Sequence, residues 1–261
     1  GPFVAEYGQG RTPNPCVECN RHLKFDYLFK IARALDADYL ATGHYARIRR
    51  GGGGFELLRG RDEKKDQSYF LYCIKASFLE NLLFPLGDFT KDEIRKLASG
   101  LGLPSAREKE SRDICFIPGG DYPGWLKKKG YAENRQGYLK DAGGKILGRH
   151  NGHFNFTVGQ RKNLGVSAGE RLYVSEIRPA ENEVVVSRLE DACFSGFRLG
   201  KLNWLHGAPP GRSERLSAQI RYRHKPCEGT VEKVSSSGLS FLFSKKQFAV
   251  TRGQSAVFYD G

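Results

Sequence analysis

The chain of 261 residues contains 39% hydrophobic and 27% charged residues, a composition that excludes a disordered or fibrous protein. Its length accommodates two or three domains with a buried core, and no apolar run approaches the ~18 residues that a membrane-spanning helix needs. The formal net charge of +13 favours a polyanionic partner bound over a broad surface, and a basic surface without a partner is the alternative.

The six cysteines are too sparse for a disulfide-stapled protein of this size, so a reducing, cytoplasmic location is predicted. In the cytoplasm, thiols serve in catalysis or metal binding, or are simply buried. The cysteines are Cys16, Cys19, Cys73, Cys115, Cys193 and Cys227.

The first motif, GRTPNPCVECNRHLKF (residues 10–25), places two thiols three positions apart ahead of a predicted helix over residues 20–35. The apolar stripe that predicts this helix is formed by Phe25, Leu28, Phe29, Ala32 and Leu35. With Asn20 as N-cap, Cys19 would lie just outside the positive end of the helix. A complete zinc site is not expected because no second pair of ligands follows, and the two preceding prolines argue against a thioredoxin-type pair.

A short strand over residues 39–41 is followed by TGHYARI, which forms half of an α/β unit with a Gly-His loop at the carboxyl end of the strand. Ligands gather at such ends in open α/β sheets. RRGGGG (residues 49–54) predicts a flexible loop or hairpin tip, and a helix is predicted from about residue 66. Thr90 and Glu93 form a capping box for a helix over residues 91–99, which GLGLP ends.

After about residue 135, short alternating or β-branched runs separated by Gly, Pro and Ser predict an antiparallel barrel or sandwich. In QIRYRH, strand alternation would place Ile220 and Tyr222 on one face and Arg221 and Arg223 on the other, where two guanidinium groups can bind successive phosphates. Surface arginines without a partner are the alternative.

A third thiol of interest, Cys115, lies in ESRDICFIPGGDY, where ICFI is predicted to be an apolar cluster held by loops. A buried structural cysteine is the alternative at this position. Cys73, Cys193 and Cys227 are interpreted as core or strand residues without a function.

Eight segments in this order resemble the tRNA-specific 2-thiouridylase family: GRTPNPCVECNRHLKF, ADYLATGHYARI, KDQSYFL, FPLGDFTK, SRDICFI, FTVGQRKNLGV, IRYRHKP and GQSAVFY. Enzymes of that family replace the C2 oxygen of the wobble uridine with sulfur. The resemblance implies three domains. They are the C-terminal part of an α/β nucleotide-binding domain of the adenine nucleotide α-hydrolase-like type (residues 1–80), a small α+β middle domain (81–160) and a C-terminal antiparallel β-barrel (161–261).

The resemblance also implies roles for individual residues. Cys19 matches the nucleophilic thiol, and Cys115 matches the thiol that carries the incoming sulfur as a persulfide. In the family scheme Mg²⁺-dependent use of ATP adenylates the uridine, sulfur from Cys115 displaces AMP, and Cys19 closes a disulfide with Cys115 or assists sulfide release. Gly43 matches a position where adenosine lies against the backbone.

The remaining matched positions contact tRNA in the family. Asn14, Pro15 and Cys16 match the segment that lines the target-base pocket. The other positions that match tRNA contacts are His44, Lys65, Asp66, Gln67, Arg221, Tyr222 and Gln254. The implied partners are the anticodon arm of tRNA and a protein that donates persulfide sulfur, with no membrane involved. Alternative roles from the residues alone are a tight turn for Gly43, a helix cap for Asp66 and a core position for Tyr222.

The chain departs from the family pattern in two ways. Some relatives carry Asp where this chain has Cys16, so Cys16, Cys19 and Cys115 could instead hold three irons of a [4Fe–4S] cluster. The S-G-G-x-D-S phosphate loop of the family is not among the 261 residues. We therefore expect the chain by itself to bind tRNA without hydrolysing ATP. A non-catalytic tRNA-binding module and an Fe–S redox protein are the rival functions.

Overall fold

A computed structural model describes residues 1–107, 114–166, 169–205, 209–235 and 238–260. The helices are α1 (Pro2–Gly8), α2 (Pro15–Glu18), a π-helical segment (Cys19–Tyr27), α3 (Leu28–Ala34), α4 (Ser68–Leu71), α5 (Lys91–Gly100) and α6 (Tyr122–Lys128), with short 3₁₀ turns at Ala76–Asn81, Pro104–Arg107, Pro118–Gly120 and His153–Asn155. The strands are β1 (Leu40–Ala41), β2 (Ala46–Gly51), β3 (Gly54–Arg59), β4 (Leu82–Leu83), β5 (Gly137–Lys140), β6 (Ile146–His150), β7 (Tyr173–Arg178), β8 (Glu183–Ser187), β9 (Cys193–Leu199), β10 (Arg215–Gln219), β11 (Cys227–Ser235), β12 (Gly238–Phe248) and β13 (Val257–Tyr259).

The predicted helix over residues 20–35 begins five residues earlier, because α2, the π-helical segment and α3 follow one another without a break from Pro15 to Ala34. Pro15 occupies the first helical position, where its missing N–H costs nothing. Of the predicted apolar stripe, Phe25 and Phe29 are buried, whereas Leu28 and Leu35 are exposed. Leu35 is exposed because the helix ends at the residue before it.

The first domain has a small parallel pair, β1 with β4, beside the β2–β3 hairpin. The prediction of a hairpin tip in the glycine run is confirmed, since β2 and β3 meet at Gly51 and Gly54. Residues from the long helix, the hairpin and the segment over residues 71–84 share one core. Its buried members are Phe25, Phe29, Ala46, Leu71, Ile74, Leu79, Leu82 and Phe84.

The predicted capping box is confirmed at the start of α5. The Thr90 side chain accepts a hydrogen bond from the Glu93 N–H, and the Glu93 carboxylate accepts one from the Thr90 N–H at 2.7 Å. Gly102 follows the helix with a positive φ of 66°, a backbone conformation that glycine adopts without strain. The helix predicted from residue 66 is shorter than expected, because α4 contains four residues.

A four-stranded sheet in the order β6-β5-β8-β7 follows, with β5 and β8 parallel and the other pairs antiparallel. Its core contains Leu139, Val174, Val184 and Val186, all fully buried. The sheet contains strands from both sides of the domain boundary that was expected between residues 160 and 161. That boundary stays a prediction.

The last sheet has five antiparallel strands in the order β13-β10-β11-β12-β9 and encloses a core of aromatic residues. In the described residues its outer strands, β13 and β9, do not pair with each other, so the predicted antiparallel layout is present but the sheet is open. None of the helices in the described part of the chain has the length and apolar character needed to cross a bilayer.

Candidate thiol and tRNA-binding site

The start of the long helix carries Cys16 rather than Cys19 in its first turn. Asn14 is the N-cap, Pro15 the first helical residue and Cys16 the second. Cys19 lies one turn further on, at the start of the π-helical segment. The prediction that Cys19 lies outside the positive end of the helix is therefore wrong, because the helix begins before the cap that the apolar stripe indicated.

Asn20, the predicted N-cap, has a different function in the structure. Its side chain is buried, and its amide donates a hydrogen bond to the Phe70 carbonyl at 3.0 Å. This bond ties the helix that carries the two thiols to α4. The N-cap prediction is wrong because the helix begins at Pro15 with Asn14 as its N-cap, so Asn20 lies inside it.

Cys16 lies in the electrostatic field of the two other thiols that the resemblance indicates. Burial raises the pKa of the Cys16 thiol, the charges of Cys115 and Cys19 raise it further, and Lys24 lowers it. The side chain is nevertheless open to solvent on one side, since Cys16 is exposed. Cys115 thus acts electrostatically on Cys16, a residue nearly one hundred positions earlier in the chain.

Cys115 is exposed, which makes the buried structural cysteine the wrong alternative there. The predicted apolar cluster around it is present in part. Ile117 is buried, and the Phe116 ring contacts Phe3 and Trp125 with centroid distances of 5.5 and 5.8 Å. These contacts anchor the cysteine to α1 and α6, while residues 110–113 of the motif lie outside the described residues.

All six cysteines are free thiols in the structure. Cys73 is buried, and Cys193 and Cys227 begin β9 and β11, as expected for core and strand residues. Within the described ranges, no three His, Cys, Asp or Glu side chains are gathered closely enough to hold a metal ion. The [4Fe–4S] alternative for Cys16, Cys19 and Cys115 stays a prediction.

Gly43 follows β1 at the carboxyl end of the parallel pair, as predicted. It is exposed, and a Cβ atom at this position would meet only Leu86, at an ordinary contact distance of 3.5 Å. No packing within the described chain requires glycine at this position. The backbone of Gly43 is therefore open, and a planar ring such as adenine can approach it. The residue therefore fits the nucleotide that the resemblance implies.

His44, beside Gly43, is buried, and both of its ring nitrogens have partners. Nε2 lies 3.2 Å from Lys24 Nζ, and Nδ1 lies 2.7 Å from Thr42 Oγ1. Burial, helped by the charge of Lys24, lowers the pKa of His44 to about 4. The imidazole is therefore neutral at pH 7, and its contact with tRNA stays a prediction.

In the KDQ segment, the side chains of Asp66 and Gln67 accept hydrogen bonds from backbone N–H groups. Asp66 is buried and accepts hydrogen bonds from the N–H groups of Gly60 and Ser68. The N-cap of α4 is Gln67, so Asp66 is not the helix cap that was the alternative role. Gln67 Oε1 accepts a bond from the Tyr45 N–H at 2.9 Å. Lys65 is half-buried.

Three candidates from distant parts of the sequence converge on Tyr69, which is fully buried. Burial raises the pKa of the Tyr69 hydroxyl, Asn14 lowers it against this larger effect, and Gln254 Oε1 lies 3.5 Å from that hydroxyl. Gln254 also donates to the Thr12 carbonyl at 2.9 Å. The Tyr222 ring packs on Phe70, with a centroid distance of 4.5 Å. The structure thus brings residues 12–14, which precede the two thiols, together with residues 222 and 254 of the C-terminal part at α4.

The strand predicted over QIRYRH is wrong beyond Gln219, where β10 ends. Residues 221–223 form a turn, in which Arg223 has a positive φ of 62°. Arg221 is half-buried and donates to the carbonyls of Phe248 and Ala249 through one Nη atom. The two arginines therefore do not share one face of a strand, because the chain forms a turn there.

Family models match three successive parts of the chain. Residues 1–119 match a model described as a tRNA methyl transferase HUP domain, residues 126–188 a tRNA methyl transferase PRC-barrel domain, and residues 194–261 an aminomethyltransferase beta-barrel domain. These matches define a three-part protein of the HUP, PRC-barrel and β-barrel class, and they confirm the predicted fold.

Curated relatives narrow the class to one family. The chain is 44% identical over 262 residues to the tRNA-specific 2-thiouridylase MnmA of Carboxydothermus hydrogenoformans, covering 99% of this chain and 72% of the relative. It is 45% identical over 261 residues to MnmA of Acidithiobacillus ferrooxidans, covering 99% and 74%. It is 40% identical over 258 residues to MnmA 2 of Clostridium botulinum, covering 99% and 73%. The chain belongs to the tRNA-specific 2-thiouridylase family.

Two residues of this site were not predicted from the sequence. Lys24 and Tyr69 lie inside two of the quoted motifs but were assigned no role there, and each makes contacts with distant segments. A sequence signal for Lys24 was its position five residues after Cys19. Side chains at this spacing lie near the same side of a helix only when the helix is a π-helix.

Proposed function

We propose that the chain carries out the sulfur-transfer chemistry of a tRNA 2-thiouridylase, which places sulfur at C2 of the wobble uridine. The observation that carries this proposal is that Cys115 is exposed and raises the pKa of Cys16, which lies one turn before Cys19 at the start of the same helix. The family to which the chain belongs supports it, since the relatives bear the name tRNA-specific 2-thiouridylase.

In this proposal ATP, with Mg²⁺, supplies the activation that turns the C2 oxygen into a leaving group. Cys115 holds the incoming sulfur as a persulfide, and the terminal sulfur attacks C2 while AMP departs with the former oxygen. Cys19 thiolate then attacks Cys115 Sγ and breaks its bond to the transferred sulfur. A Cys19–Cys115 disulfide forms, thiolated tRNA is released, and a cellular thiol reduces the disulfide. In a variant of the same scheme, Cys19 first attacks the Cys115 persulfide and releases sulfide. The sulfide then attacks C2.

The residues around this chemistry have the following proposed roles. The Gly43 backbone lies against adenosine, and Asn14, Pro15 and Cys16 line the pocket of the extruded base. Contacts to the anticodon arm come from His44, Lys65, Asp66, Gln67, Arg221, Tyr222 and Gln254. Recognition then depends mainly on phosphate and shape, so binding should weaken steeply with salt, in keeping with the net charge of +13. The protein acts in the cytoplasm with a persulfide donor protein.

The test is complementation of a bacterial strain that lacks its own 2-thiouridylase by the complete native gene that includes this coding sequence, since the 261 residues expressed alone are expected to bind tRNA without hydrolysing ATP. We expect 2-thiouridine to reappear in tRNA, measured by mass spectrometry of nucleosides. Cys19→Ser and Cys115→Ser should each abolish it while tRNA binding by the purified chain is retained. Cys193→Ser, at the start of β9, is the matched control and should leave thiolation unchanged.

Thiolation that persists in both Cys19→Ser and Cys115→Ser would contradict the proposed roles of the two thiols. Retained tRNA binding with no 2-thiouridine restored by the unsubstituted protein would instead leave a non-catalytic tRNA-binding module. The cluster alternative is tested by anaerobic purification with iron, sulfide and absorbance measurements. A colourless, fully active protein eliminates it, whereas activity that depends on bound iron would replace the persulfide scheme.

A further inference from the structure

The loop that leads to the two thiols, residues 10–14, is poorly able to fix its own conformation by hydrogen bonds. Pro13 and Pro15 have no N–H group, and each ring keeps the preceding residue out of the α-helical region. Asn14 accordingly has φ −108° and ψ 89°. The position of the loop is therefore decided by its contacts with other parts of the chain.

Residues 252–254 bind the backbone of this loop at Thr12. The Thr12 N–H donates to the Arg252 carbonyl at 2.9 Å, and the Thr12 carbonyl accepts a hydrogen bond from Gln254 Nε2, also at 2.9 Å. A Cβ atom added to Gly253 would lie 2.9 Å from the Thr12 nitrogen, which is closer than such atoms normally approach. The two backbones are thus in direct contact, and both hydrogen-bonding groups of the Thr12 backbone are bound to the C-terminal part.

The same C-terminal residues are bound to α4 and the residue that follows it. The hydroxyl of Tyr69, which is fully buried, donates to the Ser255 carbonyl at 3.0 Å. Tyr72 Oη lies 2.8 Å from Ser255 Oγ. Gln254 Oε1 lies 3.5 Å from the Tyr69 hydroxyl, so both ends of the Gln254 amide are near groups of the chain itself. Residues 252–255 therefore connect α4 to the loop that precedes the thiols.

We propose that residues 252–255, which we call the C-terminal clamp, position the loop of residues 10–14, and that Gln254 is a positioning residue for the target-base pocket. This role in thiolation rests on the proposed function. Thr12 lies two residues before Asn14, the N-cap of α2, and α2 carries Cys16. Since a displacement of about 1 Å can lower a rate by about a hundredfold, fixing the loop at Thr12 keeps the pocket residues aligned for the reaction. Gln254 has this function in addition to its proposed contact with tRNA.

Hydrogen exchange of the Thr12 amide in the 261-residue chain, without tRNA or ATP, measures the clamp directly. Gln254→Met keeps the length of the side chain but removes its amide, so exchange should accelerate by about threefold to tenfold, as expected for the loss of one hydrogen bond. Tyr69→Phe should also accelerate it, because the clamp loses its bond to α4. Gln247→Met is the matched control and should leave Thr12 unchanged, since the Gln247 amide donates to the Lys245 carbonyl of its own strand.

Exchange of the amides that pair β2 with β3 shows whether a variant has lost stability as a whole. These amides should exchange equally in Gln254→Met and in the unchanged chain. An acceleration at Thr12 no larger than that in β2 and β3, or an equal acceleration in Gln247→Met, would overturn the inference.

Kinetics of the complete native protein separate positioning from tRNA contact. At saturating tRNA, Gln254→Met and Tyr69→Phe should each lower kcat for thiolation by about tenfold, because the pocket is less well aligned. Tyr69 is fully buried and does not reach tRNA, so Tyr69→Phe should leave the Kd for tRNA unchanged. Weaker tRNA binding by Gln254→Met with kcat unchanged in both variants would make Gln254 a tRNA contact only and overturn the positioning role.

The exchange measurement does not depend on the reaction. If Thr12 exchange accelerates as expected but the unsubstituted native protein forms no 2-thiouridine, the contact between clamp and loop stands and the proposed function fails. If thiolation requires Cys19 but Thr12 exchange does not respond to Gln254→Met, only the inference fails.

Discussion

Tyr259 Oη lies 3.0 Å from Ser68 Oγ, across 191 positions of sequence. Ser68 donates its own hydroxyl hydrogen to Asp66 Oδ2 at 2.8 Å, so the tyrosine is the donor in the bond between them. The Arg59 guanidinium lies over the Tyr259 ring, 3.6 Å from its centroid. The last strand of the chain is thereby joined to α4 of the first domain and to the KDQ segment, which includes three candidate tRNA contacts.

Tyr259→Phe should lower the free energy of unfolding by about 1 kcal/mol, because Ser68 loses a donor while the ring stays in place. Tyr259→Ala should cost several times more, since the packing and the contact with Arg59 are also lost. Thermal unfolding followed by circular dichroism measures both. Tyr39→Phe, on an exposed side chain, is the control and should be neutral. Equal effects of the two Phe variants would contradict the predicted bond.

Asn203 makes a second connection between the C-terminal part and the first domain. Its amide donates to the carbonyls of Tyr72 and Ile74 at 2.6 and 2.9 Å. Asn203→Asp replaces both donors with oxygens that face carbonyl oxygens, so unfolding should become easier by about 1–3 kcal/mol. Asn81→Asp is the control, because Asn81 makes one exposed bond to the Asp38 carbonyl. A stability loss no larger than in this control would show that the contact is not maintained in solution.

The buried His44 should make stability depend on pH. Its pKa is lowered to about 4 in the folded state, below the usual value of 6.5. Between these values the unfolded chain binds a proton that the folded chain does not, so stability is complete above about pH 6.5 and falls as the pH decreases toward 4. The loss amounts to about 3 kcal/mol at most.

Melting temperatures of the chain and of His44→Gln at pH 7 and pH 5 test this prediction. The variant should lose less stability on acidification, since glutamine has no proton to bind. His22→Gln, on an exposed side chain of the π-helical segment, should show the pH dependence of the unchanged chain. Identical slopes for His44→Gln and His22→Gln would refute the assignment of a buried neutral imidazole.

Thr90→Ala should destabilise the chain by about 0.5–2 kcal/mol, because it removes the acceptor for the Glu93 N–H at the start of α5. The Glu93 carboxylate also loses its contact with the Thr90 hydroxyl at 3.0 Å. Ser99→Ala, at an exposed position near the other end of the helix, is the control and should be neutral or slightly stabilising. Hydrogen exchange of the first turn of α5 provides a local measurement of the same effect.

Local chemistry was predictable wherever neighbours in sequence are also neighbours in space. The capping box at Thr90, the β2–β3 hairpin and most of the C-terminal strands follow from side-chain periodicity and turn residues. The start of the long helix was not predictable from its apolar stripe. The extension to Pro15 and the π turn of Cys19–Tyr27 depend on contacts such as that of Asn20 with the Phe70 carbonyl.

Motif order and residue type were enough to indicate the family, the layout of the fold and the thiols Cys19 and Cys115, because these are properties of the chain as a string of residues. Tertiary structure alone decided that Cys115 is exposed and close to Cys16, that Tyr69 gathers Asn14 and Gln254, and that Lys24 and His44 form a pair. The physical reason is that electrostatic interactions and hydrogen bonds act over a few ångströms of space. Only the folded chain establishes which distant residues come within that range.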